Sequence, residues 1–152
     1  MTTNDMERSK IVESSDKIEA VEECYRMGWS GGLPVVPPVD YKVREMLESS
    51  GMTGEEEIIS LEMRNRVLTS ENVAANAVMA GCLPDYFPVL TTTLKALEEE
   101  KNFVHMASAS TSSPAILMVL NGPIRDQINA NYKDGLLGPG NRANAVLGRA
   151  IR

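Results

Sequence analysis

Four short segments hold the residue types and spacings that could do chemistry. In Ala80-Gly81-Cys82-Leu83-Pro84-Asp85, a cysteine stands directly before a run that reads as a helix start. A thiol there sits in positive backbone potential, which lowers its pKa and favours the nucleophilic thiolate. Gly81 gives a substrate room to approach, whereas a nearby Asp85 carboxylate would work against the thiolate. The same residues equally suit an inert thiol buried at a tight helix–helix turn. Cys24, on the apolar face of an expected helix, fits the inert role better.

The second segment is Gly138-Pro139-Gly140-Asn141-Arg142-Ala143-Asn144. Its glycines allow a tight turn, and the free N–H groups of the following helix would face outward toward an anion. Gly140, Asn141, Arg142 and Asn144 are the candidate substrate-binding residues, with Arg142 suited to a bidentate hold on a carboxylate. Arg149, seven residues on, adds charge near the same face. The competing role is a helix cap with surface arginines. The third segment, Trp29 to Pro38, offers Trp29 as an apolar wall and the N–H groups of Gly31 and Gly32 to a ligand, or else a connector that tucks its apolar residues under the core. The fourth is the hydroxyl-rich turn Ser110-Thr111-Ser112-Ser113. It follows His105, the chain's one histidine and a candidate for proton transfer.

What is scarce narrows the classes further. Two cysteines and one histidine, with no C-x-x-C and no H-x-x-x-H, cannot build a four-ligand zinc site. No metal site is expected, because the carboxylates fall in runs such as Glu55–Glu57 and Glu98–Glu100 that read as solvated faces. The glycine-rich turn fits neither the phosphate-binding G-x-x-x-x-G-K-[ST] loop nor the dinucleotide G-x-G-x-x-G, so no cofactor is expected. Fifteen Lys and Arg against 21 Asp and Glu leave a net charge of −6. That balance disfavours nucleic acid and anionic membranes as partners. The longest apolar run, Ala115–Leu120, is far short of the roughly 20 residues that span a bilayer. The polar start lacks a signal core, which points to the cytoplasm.

The elements that would position these residues follow from periodicity and caps. Residues 1–15 read as a mobile lead-in, and 16–152 as a single domain, a length that one hydrophobic core can serve. Asp16 caps a helix to about Met27, with Ile18, Val21, Cys24 and Tyr25 on one face. A second helix runs Asp40–Ser49 to a stop at Gly51. A strand is expected near Ile58–Leu61. Thr69 or Ser70 caps a third helix, rich in small residues, that stops at Gly81. Pro84 opens a fourth helix to about Glu100. Residues 103–109 and 115–120 read as strands, with His105 facing the same side as Phe103 and Ala107. A last helix runs to Ile151. The expected fold class is α+β, or loosely α/β, with helices on a small sheet of about three or more strands.

Trp29-Ser30-Gly31-Gly32-Leu33-Pro34-Val35-Val36-Pro37-Pro38, Ala74–Pro88, Asn121-Gly122-Pro123 and Gly138–Arg149 together resemble a prokaryotic family associated with UGSC-type (seleno)proteins, whose members carry W-S-D-G-L-P-V-V-P-P. The likeness runs from about Ile18 to Arg152. Gly31 replaces the acidic residue of the first motif, and the family's Sec/Cys-Gly-Ser-Cys redox motif is absent. The resemblance implies a stand-alone module, or one subunit of a split protein whose partner supplies the reactive thiol or selenol. The expected function is a subunit of a hetero-oligomeric, thiol-dependent enzyme, a lyase or oxidoreductase acting on a small anionic molecule. Cys82 would be its nucleophile or redox thiol and His105 its proton-transfer group. The alternative is a non-catalytic scaffold or activating subunit of such a complex, in which Cys82 is inert.

Overall fold

The computed structural model describes residues 12–14, 16–100, 105–106, 109–111 and 114–152. Most of the lead-in over 1–15 therefore lies outside the described residues. The chain divides into two compact units, residues 1–37 and 38–152.

The first unit is built on helix α1 (Lys17–Arg26). Asp16 caps it, its carboxylate accepting from the N–H groups of Ile18 and Glu19 at 2.6 and 3.3 Å. Arg26 in the last turn pairs with Glu19 and Glu23, the latter at 2.8 Å. Beyond the helix, Gly28 takes a φ of 72°, and the Trp29 N–H returns to the Cys24 carbonyl at 2.9 Å. That backbone turn is why glycine follows Met27. Of the four residues expected on the apolar face, Cys24 is buried and Val21 half-buried, while Ile18 and Tyr25 stand out. Ile18 sits in the first turn, ahead of the turn that the Trp29 segment folds back onto.

The second unit is an α+β assembly. Its helices are α2 (Asp40–Ser50), α3 (Ser70–Ala80), α4 (Phe87–Glu99), the short α5 (Ile124–Gln127) and α6 (Arg142–Ile151). Strands β1 (Glu57–Leu61) and β2 (Arg66–Thr69) pair antiparallel, Ile59 opposite Leu68 and Leu61 opposite Arg66, with a bulge between Glu57 and Ile59. The hairpin turns through a 3₁₀ segment and Asn65 in the left-handed region, φ 48°. Helix α3 starts on a capping box: Thr69 Oγ1 accepts from Asn72 N–H, and Asn72 Oδ1 from Thr69 N–H. The next two amides are also used, Ser70 N–H on Glu56 O and Glu71 N–H on Gly54 O.

Helix α3 lies at the centre. Val73, Ala74, Ala77 and Val78 are buried, and α3 packs against α2, α4 and α6. Alanine at 74 and 77, both fully buried, lets neighbouring helices approach closely. Helices α3 and α6 run antiparallel, since Asn76 donates to Ala150 O at 2.7 Å while Arg142, at the other end of α6, reaches Gly81 O. Phe87, Leu90, Ile58, Ile128 and Leu147 complete the core. Ala143, Leu147 and Ala150 form the stripe that α6 buries, at the spacing of one helical face.

Two expected strands differ. His105 and Met106 are helical, while Phe103, Val104, Ala107 and Ser108 lie outside the described residues. His105 therefore does not sit on a strand, and its expected alignment with Phe103 and Ala107 falls outside the described residues. Residues 115–120 form no helix and join no sheet, so the described sheet has two strands. Alternation of side chains sets the faces of an extended segment, and only a neighbouring backbone makes it a strand.

Candidate functional site

Gly81 and Cys82 end α3 rather than begin the next helix. Gly81 takes a φ of 92°, and the Cys82 N–H donates back to Ala77 O at 2.9 Å. The helical run after it starts only at Pro84, with a 3₁₀ turn to Tyr86 before α4. Cys82 thus occupies the negative end of α3, which does not favour a thiolate. Its side chain is 7% exposed and its Sγ donates to Val146 O on α6 at 3.7 Å. Burial pushes the thiol up to about 11, and the Arg142 charge offsets only part of that rise. The expected depression of its pKa is not what the structure gives, and desolvation is the reason. The Cys24 thiol, in the other unit, is also raised, first by burial.

Arg142 lies close to Cys82, but its guanidinium is committed. Nε and Nη2 both donate to the Gly81 carbonyl, at 3.0 and 2.8 Å. This fork closes a carbonyl left over at the C-terminal end of α3. Asn141 caps α6, Oδ1 accepting from Asn144 N–H at 3.0 Å, while Nδ2 donates to Asn129 O at 2.7 Å. Asn144 Oδ1 accepts from Asn131 N–H at 3.0 Å, and its Nδ2 donates to Asn131 O and Leu136 O. Gly140 turns the chain into Asn141 at a φ of 110°. These four residues do lie together, as their sequence spacing implied. The side chains of Asn141, Arg142 and Asn144 bond to the protein's own backbone: they bind the loop 129–137 to the start of α6, and α6 to the end of α3.

Motif and spacing do not single out that loop. Asn129, Asn131, Asn141 and Asn144 close on one another, and their density over so short a stretch is the signal that could have found it. Asn129 takes a left-handed φ of 52°, a conformation asparagine tolerates better than most residues. Beside them Asp126, Asn129, Ala130, Asn131, Tyr132 and Lys133 line a shallow depression of about 290 Å³. At its rim the Arg125 guanidinium stacks on the Tyr132 ring at 3.9 Å.

Trp29 belongs to the first unit, where it is 40% exposed. The Gly32 N–H, expected to face a ligand, instead donates to Ser30 Oγ at 3.2 Å, and that hydroxyl donates to Leu33 O at 2.7 Å. Among the described residues, no three His, Cys, Asp or Glu side chains converge as metal ligands. No helix among them is long and apolar enough to cross a membrane.

These features define a small α+β protein with a helix-capping network at the start of α6, one member of which, Arg142, lies beside a buried thiol. No protein-family profile, curated protein or solved structure matches the chain.

Proposed function

We propose that this protein is a non-catalytic scaffold or activating subunit, and that its partner chain carries the reactive group. The observation that carries this reading is the state of Cys82: buried, pushed up to about 11, and donating to a backbone carbonyl. At neutral pH such a thiol is almost wholly protonated, and the thiolate is the nucleophile. The neighbouring residues support the same reading, because Asn141, Arg142 and Asn144 already hold backbone groups. The resemblance of the Trp29, Gly81 and Gly138 segments to the UGSC-associated family supports a partner that supplies the thiol or selenol. Against it stands one observation, that the Arg142 charge acts to lower the Cys82 pKa, as a catalytic thiol would require.

The test is native purification from the source, followed by assay of the complex with Cys82→Ser in place of the wild-type chain. Full activity of the complex is the expected result. Loss of activity with the fold intact, or a native protein with no second chain, overturns the proposal. A disulfide-exchange reagent gives a second readout: both thiols stay silent in the folded protein and both react in denaturant.

A further inference from the structure

In the segment Ala115–Leu120, which joins no helix or sheet among the described residues, burial alternates from Leu117 to Leu120, while Ile116 is 52% exposed. Met118 and Leu120 turn inward and pack against the core, and Met118 Sδ accepts from Thr93 Oγ1 on α4 at 3.6 Å. Leu117 and Val119 point away and are 77% and 83% exposed. No backbone hydrogen bond joins residues 115–120 to any described residue. One packed side at Met118 and Leu120, one open apolar side at Leu117 and Val119, and backbone groups that bond to no described residue are the properties of an edge strand without its neighbour. Protein edges of this kind are usually blunted by charge, most often lysine. Here residues 102–124 contain no Asp, Glu, Lys or Arg, although the chain as a whole is 24% charged.

We propose that this segment pairs antiparallel with the same segment of a second copy of this chain, across a two-fold axis near Met118. Leu117 of each copy then lies opposite Val119 of the other. The absence of charge is what selects a second copy as the occupant. In a two-fold contact each surface meets itself, so a charge close to the axis faces its own like, which destabilises the pair. A foreign partner imposes no such limit, and contacts of that kind draw specificity from opposite charges. In a chain of net charge −6, the uncharged strip is also where two copies repel least. This inference does not depend on the proposed function, since a two-fold pair of these chains can still carry a different subunit elsewhere.

Sedimentation equilibrium tests it on the isolated chain. The expected mass is twice the 16.6 kDa of one chain. Leu117→Glu and Val119→Lys, made singly, each place like charges across the axis and are expected to weaken association at least about tenfold, a free-energy change of about 1.4 kcal/mol. Both side chains are exposed, so circular dichroism should show the wild-type fold. Combining the two substitutions in one chain sets the new carboxylate of each copy opposite the new ammonium of the other, and this double variant is expected to associate again. A wild-type monomer, or single variants of unchanged mass, overturns the pairing. Failure of the double variant to reassociate overturns the two-fold register.

Discussion

Arg142 separates a capping role from a ligand-binding one, and Arg142→Met is the perturbation that tells them apart. The substitution keeps an unbranched apolar stem but removes both bonds to the Gly81 carbonyl, at 3.0 and 2.8 Å. A charge-assisted hydrogen bond contributes up to about 3 kcal/mol net, and solvent exposure of this one lowers the figure. About 1–2 kcal/mol is expected, because the carbonyl loses a bidentate partner but regains water. For a domain of this size that corresponds to a fall in Tm of about 3–6 °C. Arg142→Lys restores the charge but only a single point of contact, and should recover less than half of the loss. Thermal unfolding followed by circular dichroism reads all three proteins. A wild-type Tm for Arg142→Met would refute the capping argument and return the guanidinium to the role of an anion-binding group.

Three further outcomes are expected. The Cys82 thiol is raised from 9.0 to about 11 in the folded protein, so the folded state holds its proton more tightly than the unfolded one. Stability from this group is complete below about pH 9 and is lost as pH rises toward 11. The loss is about 2 kcal/mol after allowance for screening, absent in Cys82→Ala, and measurable by urea unfolding across that range. Asn144→Ala removes the acceptor for Asn131 N–H and the donor to Asn131 O and Leu136 O. It should speed amide exchange at Asn131 by at least about tenfold, and unchanged exchange would show that the loop holds itself. Leu147→Ala empties a site that is 1% exposed beneath α3, and should cost about 2–5 kcal/mol in chemical unfolding.

The local elements were largely legible in the sequence because local signals fix them. Asp16, Thr69 and Asn141 each cap the helix expected after them, and Gly51 and Gly81 end theirs in the left-handed region. The Ala74 and Ala77 pattern implies close packing of α3, though not its partner. Strand β2 escapes a reading of the sequence, since Arg66–Thr69 is too short to show alternation. Residues 115–120 are an unbroken apolar run that reads as a strand, but pairing depends on a second backbone that no local pattern specifies. The candidate site was legible as a place and not as a state. Gly140, Asn141, Arg142 and Asn144 do gather at the start of α6, with Arg142 beside Cys82, yet whether a guanidinium faces solvent or a carbonyl depends on Gly81, far away in sequence. The same contact decides the thiol: position before Pro84 suggested a helix start, but the end of α3 and the cover of Val146 determine its environment.

The bonds that lock α3 to α6 join residues 61 to 74 positions apart. Everything between them must be threaded before either partner gains, so this contact belongs to the slow, high-separation part of folding. During synthesis the alanine face of α3 leaves the ribosome well before α6 exists to cover it. For that interval the apolar face of α3 stays open to solvent, the kind of transient exposure that makes folding intermediates prone to aggregate, until Ala143, Leu147 and Ala150 arrive to cover it.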